Sequence, residues 1–394
     1  MLKQAVFLVG GRGSRLGALT DSTPKPFITV AGRPFLAYLI DNAIRHGLHD
    51  IILLAGYLAD QLQQAWGPGS AAHQALAAEG VNIRVVAEPE AAGTAGALLH
   101  ARDWLDDQFL LANGDSFFDF NWLDLLTLDA PAHAIARIGL RRVPDGSRYG
   151  RVMLDGDRVT AFEPRGLAEE TLINGGVYLL GREILTDVDR TPLSIEQDVF
   201  PRLAAEGRIF GRAHDGFFID IGVPEDLARA DRTITAATTR PAAFLDRDGV
   251  LNHDHGYIHR AADFEWVPGA KEAIRSLNDR GYYVFVVTNQ GGVAHGYYDE
   301  KAVAALHDWM QQELQTLGAH IDRFEYCPHH PEGRIAAYVR ACDRRKPGPG
   351  MLRDCMARWP VDKARSFLIG DKPSDLAAAA AVGISGHLFE NGNL

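Results

Sequence analysis

Two aspartates stand one residue apart in the stretch FLDRDGVLN, residues 244–252, at the end of an apolar run. Side chains two residues apart on an extended chain point to the same side, so Asp246 and Asp248 are expected to face one ligand. Two carboxylates that lie close together repel each other unless a cation or a shared proton relieves them. The pattern therefore indicates either a site for a charged ligand or an ordinary turn, because Asp-Gly is a common turn signal.

Three further segments of the second half favour the site over the turn. VVTNQGG places Thr288 at the end of another predicted strand, and RRKPGPG supplies Lys346 before a proline. LIGDKPSDL supplies Asp371 and Asp375 at the end of a third strand. Open α/β sheets bind ligands at the carboxyl ends of their strands, so these side chains are expected to meet at one edge.

A second candidate site lies near the amino terminus, in the loop GGRGSRLG that follows the first predicted strand. The small residues of this loop are Gly10, Gly11, Gly13 and Ser14. Glycines let the backbone approach phosphate oxygens, and successive N–H groups can form an anion-binding nest. Arg15 adds a charged fork suited to phosphate, and Lys25 stands between two prolines that would hold it stiffly.

Two more aspartates and a second glycine loop accompany this phosphate loop. Asp115 ends the predicted strand QFLLANGD, and Asp220 lies in FFIDIGVPEDL. Carboxylates from two distant strand ends could share one Mg²⁺ on a nucleotide phosphate, although either aspartate alone would be explained by a cap or a turn. The segment EPEAAGTAGAL adds a flexible loop that contains Gly93 and Thr94.

Strands and helices alternate in both halves of the chain, which predicts an α/β fold. In the first half, the buried strands are expected at 4–9, 50–55, 82–87 and 108–115, and helices at 35–47, 58–66 and 94–105. This rhythm indicates a mostly parallel sheet covered by helices on both faces. RVMLDGDRVTAF, residues 151–162, reads instead as an antiparallel hairpin, so a mixed sheet is expected.

The second half repeats the rhythm without repeating the sequence. Strands are expected at 242–248, 282–289, 323–327 and 366–371, and helices over 268–280, over 299–317 and near 349–358, before a final helix and strand. A Thr-Thr-Arg-Pro breaker predicts two different α/β domains, 1–237 and 242–394, joined by a short linker at 238–241. The 394 residues are also more than one hydrophobic core usually holds.

Composition excludes several classes of protein. The net charge is −11 with both signs intermixed, which argues against nucleic-acid binding. Three cysteines, an odd and sparse set, indicate a reducing compartment. The sequence shows no apolar run of the length of a membrane span and no signal-peptide core, so a cytoplasmic protein without membrane partners is expected. The oligomeric state stays open, a homo-oligomer included.

Over roughly the first 235 residues, the sequence resembles the sugar-1-phosphate nucleotidyltransferases. Five separated motifs carry the resemblance in the family's order, namely GGxGxRL, PKP, GTAGAL, NGD and D-x-G-x-P. NGDSFFDF, SRYGRV, LINGGVYLL and FIDIGVPEDL look closest to the branch that transfers GMP from GTP to a D-glycero-α-D-manno-heptose 1-phosphate. The implied fold is a Rossmann-like mixed sheet.

The resemblance implies roles for the residues of the first half. A sugar phosphate oxygen would attack the α-phosphorus of GTP, with Arg15 and Lys25 neutralising the phosphates. Asp115 and Asp220 would hold Mg²⁺, Gly93 and Thr94 would face the base or the sugar, and the sugar would contact Glu163 and Asn174. Relatives often have Lys where this sequence has Arg165, a change that keeps the charge and alters its geometry.

Residues 242–390 resemble the haloacid dehalogenase superfamily of aspartate-nucleophile phosphatases, without a large cap insertion. FLDRDGVLNHDHGYIHR, VTNQGGVAHGYYDE and YCPHHPEG look closest to the phosphatases that remove the 7-phosphate of heptose 1,7-bisphosphate. The resemblance implies that Asp246 attacks phosphorus and that Asp248 serves as acid and base. Thr288 and Lys346 would steady the phosphoryl oxygens. Asp246, the backbone of Asp248, and Asp371 would bind Mg²⁺.

The same resemblance implies a zinc loop, Cys-x-His followed by Cys-x-Cys. The chain has Cys327-Pro-His329 and then Cys342-Asp-Arg344, so an arginine stands at the fourth ligand position. Structural zinc normally has four protein ligands, and whether His330 or Asp343 substitutes is left open by the sequence. The alternative is a loop held by packing, with Cys327 as an ordinary buried thiol.

Together the two resemblances imply a bifunctional enzyme that uses GTP and heptose phosphates to make GDP-heptose, a precursor of surface glycans. Two alternatives remain at this stage. Another sugar-1-phosphate nucleotidyltransferase could be fused to a phosphatase of the histidinol-phosphate type. One of the two domains could also have become a regulatory binding module.

Overall fold

The computed structural model describes residues 1–166, 169–188, 190–390 and 392–394. The chain forms two compact units, the first of Met1–Ile44 with Leu48–Thr235, and the second of Arg45–Gly47 with Ala236–Leu394. The division falls near the end of a long helix, Pro224–Thr238. The finer domain limits, with a linker at 238–241, stay a prediction.

Up to residue 238, the described chain alternates strands with helices. The strands are β1 (Gln4–Leu8), β2 (Thr29–Val30), β3 (Arg33–Pro34), β4 (Asp50–Ala55), β5 (Asn82–Ala87), β6 (Gln108–Asn113), β7 (Ser116–Phe118), β8 (Ala136–Val143), β9 (Gly150–Asp155), β10 (Arg158–Arg165), β11 (Thr171–Gly181), β12 (Ile209–His214) and β13 (Phe218–Asp220). The α-helices are α1 (Phe35–Arg45), α2 (Ala59–Trp66), α3 (Ala71–Ala78), α4 (Gly93–His100), α5 (Phe200–Ala205) and α6 (Pro224–Thr238).

Nine of these strands form one mixed sheet in the order β5-β4-β1-β6-β11-β8-β12-β10-β9. The four strands β5, β4, β1 and β6 are parallel, so their carboxyl ends meet at one edge. β11 runs antiparallel to β6, and β9 and β10 form an antiparallel hairpin. The mixed sheet expected from the hairpin is therefore confirmed. Apolar strand residues such as Val6, Ile52, Phe109 and Leu111 fill the core.

A small two-stranded sheet stands beside the large one. β13 pairs antiparallel with β7, and Asp220 lies opposite Ser116 in this register. The backbone N–H of Ile221 also donates to the carbonyl of Asp115 at 2.9 Å. The pairing therefore brings together two acidic residues that are more than a hundred positions apart in the sequence.

The rest of the chain forms a parallel α/β layer structure. Its strands are β14 (Ala242–Leu245), β15 (Tyr283–Asn289), β16 (Arg323–Cys327), β17 (Phe367–Gly370) and β18 (Ser385–Leu388), and its α-helices are α7 (Ala270–Asp279), α8 (Gly292–His295), α9 (Glu300–Gln315), α10 (Gly350–Arg358) and α11 (Pro373–Val382). The strand order is β16-β15-β14-β17-β18, and every neighbouring pair is parallel. All five carboxyl ends therefore lie at one edge of this sheet.

The predicted elements agree well with the observed ones, and the differences have local causes. α9 begins where Asp299 accepts a hydrogen bond from the N–H of Ala302, a helix cap that the sequence makes visible. α3 was missed, because its alanine-rich sequence offers little periodic contrast between polar and apolar residues. None of the helices in the described ranges has both the length and the apolar character needed to span a bilayer.

Candidate active sites

A cavity of about 680 Å³ opens at the carboxyl ends of β5, β4, β1 and β6. Across this edge the chain presents Glu88 after β5, Gly56 after β4, Gly10 after β1 and Asp115 after β6, and all four line the cavity. Neighbouring strands lie about 4.8 Å apart, so the three intervals span roughly 14 Å. That length accommodates a nucleoside together with its first phosphates.

Lys25 lies between two carboxylates at the β6 end of this cavity. Its Nζ donates to Asp115 Oδ2 at 2.6 Å and lies 3.9 Å from Asp220 Oδ1. The Lys25 side chain is only 7% exposed, so its charge is little screened by water. Burial and the nearby Asp115 raise the pKa of Asp220, whereas Lys25 lowers it.

Asp115 and Asp220 suit a magnesium ion by donor type, because Mg²⁺ prefers carboxylate oxygens and usually binds one or two of them with substrate phosphates. Burial is the main cause of the raised pKa of Asp220, and repulsion from the Asp115 carboxylate adds to it. A divalent cation bound between the two carboxylates would relieve that repulsion.

Glu88, at the opposite end of the cavity, was not singled out by the sequence analysis. Its Oε2 accepts a hydrogen bond from the N–H of Ala92 at 3.3 Å, and burial raises the pKa of its carboxyl group. A Cβ built on Gly10 would lie 3.0 Å from Oε1, so this oxygen faces the glycine loop. The available signal was a glutamate directly after a buried strand, at the ligand-binding edge of a parallel sheet.

Gly93 and Thr94 line the same cavity at the start of α4. Gly93 has a φ of 74°, and a Cβ at this position would lie 2.4 Å from the carbonyl oxygen of Leu193. Thr94 Oγ1 accepts a hydrogen bond from the N–H of Ile195 at 2.9 Å. The glycine loop is thus joined to the π-helical segment Ile195–Val199.

This π-helical segment carries Glu196, a second lining residue that the sequence analysis did not single out. Its Oε1 accepts hydrogen bonds from Tyr178 Oη at 2.7 Å and from Asn113 Nδ2 at 3.2 Å. Asn174 Nδ2 donates to Tyr178 Oη at 2.9 Å and lies 3.5 Å from Glu196 Oε1. Of the described residues, Asn113 and Glu196 line the cavity and Asn174 does not, so the predicted sugar contact of Asn174 stays a prediction.

The predicted phosphate loop lies at the cavity only in part. Gly10 and Gly11 line it. Gly13 has a φ of 66°, and its carbonyl accepts a hydrogen bond from Thr20 Oγ1 at 3.1 Å. Ser14 begins the 3₁₀ segment Ser14–Thr20, and neither Gly13 nor Ser14 is in the described lining of the cavity.

Arg15 and Glu163, two further predicted site residues, lie outside the described lining of this cavity. Arg15 is near Asp220. A Cβ built on Gly222 would lie 3.5 Å from Arg15 Nη2, and the charge of Arg15 lowers the pKa of Asp220. Glu163 is in β10, with its Oε2 3.9 Å from Arg151 Nε. Its predicted sugar contact stays a prediction.

A smaller cavity, of about 210 Å³, opens at the carboxyl edge of the second sheet. Lys346 Nζ lies 2.8 Å from Asp246 Oδ2 and 2.6 Å from Asp375 Oδ1, and all three residues are buried. Burial raises the pKa of Asp246 to about 6, although Lys346 lowers it. The Lys346 ammonium thus favours the ionised form of the Asp246 carboxyl, which is the form that a nucleophile requires.

The carboxylate of Asp248 is held by three side chains at the mouth of this cavity. Arg247 donates to both of its oxygens, with Nη2 2.9 Å from each. Gln290 Nε2 donates to Oδ2 at 2.9 Å, and Asn252 Nδ2 donates to Oδ1 at 3.2 Å. Asp246 and Asp248 both line the cavity, so one ligand there can contact both.

Asp371 completes a set of carboxylates that suits a divalent cation. Ligand atoms of Asp246, Asp371 and Asp375 lie within 4.8 Å of one another, and the side chain of Asp248 is outside this described group. Asp371 Oδ1 is buried and has no hydrogen-bond partner among the described residues. A buried acceptor without a donor is costly unless a cation satisfies it, so the set fits Mg²⁺.

Thr288, at the end of β15, is buried beside these carboxylates and lines the cavity. Its Oγ1 accepts a hydrogen bond from Gln290 Nε2 at 3.0 Å. Lys346 is fixed by Asn289, which accepts from the Lys346 N–H at 3.0 Å and donates to its carbonyl at 3.1 Å. The strand end therefore positions both side chains that were predicted to steady phosphoryl oxygens.

Cys327, His329 and Cys342 form a second group of side chains that could bind a metal ion, with ligand atoms within 4.8 Å of one another. Cys327 Sγ lies 3.7 Å from His329 Nδ1, and burial raises the pKa of its thiol to about 11. Two sulfurs and an imidazole are a donor set that zinc accepts as three of four ligands.

Neither of the substitutes considered for the fourth ligand joins this described cluster. His330 Nδ1 accepts a hydrogen bond from the N–H of Glu332 at 3.1 Å. Asp343 pairs instead with Arg353, whose Nη1 lies 3.3 Å from Asp343 Oδ2.

Comparisons with known proteins match two different families to two separate parts of the chain. A model of the family described as nucleotidyl transferase matches residues 4–237, and one described as HAD-hydrolase-like matches residues 343–394. The solved structure of HddC from Yersinia pseudotuberculosis, complexed with GMP-PN, is 28% identical. It covers 59% of this chain and 99% of its own chain, with a TM-score of 0.51.

Curated relatives match a shorter stretch of the chain. The D-glycero-beta-D-manno-heptose-1,7-bisphosphate 7-phosphatase of Rhodopseudomonas palustris is 56% identical over 155 residues, which are 39% of this chain and 86% of the relative. The phosphatase of the same name from Escherichia coli K12 is 42% identical over 148 residues, or 38% of this chain and 78% of the relative.

Replacing Gly93 by alanine should damage the first cavity through a backbone collision. The new Cβ would meet the carbonyl of Leu193 and force a side chain into the left-handed region, so we expect a loss of about 2 kcal/mol or more of unfolding free energy. Gly69→Ala is the matched control, since Gly69 has a φ of 91° with open space around it. Urea unfolding of both variants measures the difference, and equal losses would contradict the collision.

Proposed function

Since the chain belongs to the nucleotidyl transferase family over residues 4–237 and, over a stretch of 155 residues, to the heptose-1,7-bisphosphate 7-phosphatases, we propose that it is a bifunctional enzyme of heptose activation. It removes the 7-phosphate of heptose 1,7-bisphosphate and then joins GMP from GTP to heptose 1-phosphate. The products are GDP-heptose and pyrophosphate. The observation that carries this proposal is the presence of two separate lysine–carboxylate sites in one chain.

In the phosphatase reaction, an Asp246 oxygen attacks the phosphorus of the 7-phosphate and the bond from phosphorus to the sugar oxygen breaks. Asp248 enters this step in its protonated form and gives that proton to the leaving oxygen. It then takes a proton from the water that hydrolyses the aspartyl-phosphate. Lys346 and Thr288 bind the transferred oxygens, and the hydrogen bonds from Arg247 and Gln290 keep the Asp248 carboxylate aimed at the cavity.

In the transferase reaction, an oxygen of heptose 1-phosphate attacks the α-phosphorus of GTP, and pyrophosphate leaves. Such a displacement depends on alignment and charge neutralisation, which Lys25 and Arg15 supply. Mg²⁺, held by Asp115 and Asp220 here and by Asp246 and Asp371 in the phosphatase site, would neutralise phosphate charge when bound.

Glu88 gives the transferase a means to select guanine. The phosphates belong at the end of the cavity where Lys25 and Asp115 lie, so the base belongs at the β5 end, beside Glu88. Guanine presents two adjacent donors, N1–H and the 2-amino group, which match an ionised carboxylate. Adenine presents an acceptor at N1, which a carboxylate repels.

Glu196 and Asn113 supply the corresponding contacts for the sugar. Both line the cavity, and Tyr178 holds Glu196 in place through the 2.7 Å hydrogen bond. Carboxylate and amide oxygens accept hydrogen bonds from sugar hydroxyl groups. All three cysteines are free thiols, which is consistent with a protein of the reducing cytoplasm, where GTP is available.

Two matched variants separate the activities. Asp246→Asn should reduce phosphate release from heptose 1,7-bisphosphate by roughly a thousandfold or more, because the nucleophile is lost. The variant should still make GDP-heptose from heptose 1-phosphate and GTP. Asp220→Asn should show the reverse pattern. Phosphate assay and chromatography of GDP-sugar measure both products, and a wild-type protein that leaves the bisphosphate intact would exclude the proposal.

Glu88→Gln should weaken the selection of guanine. The loss of a charge-assisted pair is worth about 1.5–3 kcal/mol, so kcat/KM for GTP should fall roughly 10- to 100-fold while the value for ATP changes little. Glu90→Gln is the control, because Glu90 lines the same cavity and is exposed. An unchanged ratio of GTP to ATP use in Glu88→Gln would show that the base is read elsewhere.

The anomer of the sugar provides a further test that links the two sites. Neither reaction breaks the bond between C1 and its oxygen, so the configuration at C1 passes unchanged from bisphosphate to GDP-heptose. The curated relatives are named for the beta anomer, whereas the motifs of the first half resemble a branch that acts on the alpha anomer. We expect kcat/KM values on both anomers to favour the same one at both sites. Opposite preferences would contradict a sequential pathway.

A further inference from the structure

Arg344 occupies the position at which the zinc-loop pattern would place a fourth metal ligand, but it points to other partners. Its guanidinium forms ion pairs with Glu325 in β16 and with Asp354 in α10. Its Nη2 also donates to the carbonyl of Tyr326 at 3.2 Å. Glu325 is only 6% exposed, so this pairing is partly shielded from water.

The loop between Cys327 and Lys346 has a second anchor that involves no metal-type ligand. Tyr338 Oη donates to Glu300 Oε1 at 2.7 Å, and Tyr326 Oη donates to Glu300 Oε2 at 2.6 Å. The loop is closed further by the N–H of His330, which donates to the carbonyl of Tyr338 at 3.1 Å. Tyr338 therefore ties the middle of the loop to Glu300 in α9, and Arg344 ties its end to Glu325 in β16.

The end of this loop positions a residue of the phosphatase site. The N–H of Arg345 donates to the carbonyl of Cys342 at 3.0 Å, and that of Gly350 donates to the carbonyl of Asp343 at 2.9 Å. Lys346 follows within this turn and contacts Asp246. Any cross-link that fixes residue 344 therefore also fixes the backbone that presents Lys346.

We propose that the Arg344 ion pairs replace the cross-link that a fourth metal ligand would make, so that the loop stays folded without a metal ion. The inference goes beyond the proposed function and does not depend on the substrate. A zinc ion bound by Cys327, His329 and Cys342 then has three protein ligands, and its fourth ligand comes from outside the chain. Such an ion exchanges readily, because the protein does not close the coordination sphere.

The first test removes metal from the whole protein. Wild-type protein, dialysed against a chelator and returned to Mg²⁺, should lose its zinc and keep its Tm to within about 1 °C, with phosphatase kcat and KM unchanged. Arg344→Ala should lower Tm by about 4 °C or more, with or without zinc, and should raise KM or lower kcat of the phosphatase. The transferase activity of the same sample shows that the protein is folded.

Two further variants make the test specific. Arg344→Cys supplies a third thiolate as the fourth ligand, so it should retain one zinc per chain through the same dialysis and show a Tm that depends on zinc. Arg353→Ala is the control for a lost ion pair, because Arg353 pairs with Asp343 on the exposed side of the loop and should behave like wild type. Arg344→Lys should recover part of the lost Tm.

Two results would overturn the proposal. The first is a wild-type Tm that falls by several degrees when zinc is removed. The second is an Arg344→Ala protein as stable as Arg353→Ala.

Discussion

Each of the two sites depends on a single buried lysine that neutralises carboxylates gathered at the end of a sheet. The antiparallel pairing of β13 with β7 brings Asp220 to Asp115 in the first site. In the second site, the parallel strands β14 and β17 end beside Asp246 and Asp375, and Lys346 contacts both carboxylates. Like charges this close cannot all stay ionised without a counter-charge. Removing a buried lysine would leave its partners uncompensated, which is far more costly than losing an exposed pair.

The same electrostatic arrangement serves opposite chemistry in the two sites. In the first, the carboxylates and lysine are arranged around a cavity large enough for a nucleotide, and the proposed reaction retains the acceptor phosphate. In the second, the cavity is about a third as large, and in the proposed reaction Asp246 itself attacks phosphorus. In the proposed reactions, the two sites differ in the role of the carboxylates. Asp246 forms a bond to phosphorus, whereas Asp115 and Asp220 hold Mg²⁺.

Much of the fold and many of the site residues could be predicted from the sequence, because both depend on strand ends. A buried strand followed by Asp, Thr or Gly is visible in a sequence, and this signal located Asp115, Asp246 and Thr288. Glu196 could not be found in this way, because a π-helical segment has no periodic pattern and its carboxylate reaches the cavity only through tertiary packing. Arg247 belongs to no motif of its own, and its contact with both oxygens of Asp248 is visible only in the structure.

The fourth zinc ligand illustrates a different limit. The sequence shows that Arg344 departs from the pattern, but only the structure shows where the guanidinium points. Glu325 precedes Cys327 by two residues and Asp354 follows Arg344 by ten, so no local motif connects the three. Ion pairs between distant elements are set by the packing of those elements, and a sequence pattern carries little information about them.

The joining of the Gly93 loop to the segment after Leu193 has a consequence for how substrate preference can evolve. The N–H of Ala95 donates to the carbonyl of Leu193 at 2.9 Å, and the N–H of Leu193 donates to that of Ala92 at 3.0 Å. With the hydrogen bond from the Ile195 N–H to Thr94 Oγ1, the Gly93 loop and the segment that carries Glu196 form one unit at the cavity. A substitution that shifts the loop also shifts the segment. If the proposed function holds, mutations that alter the choice of nucleotide are therefore expected to be epistatic with mutations that alter the choice of sugar.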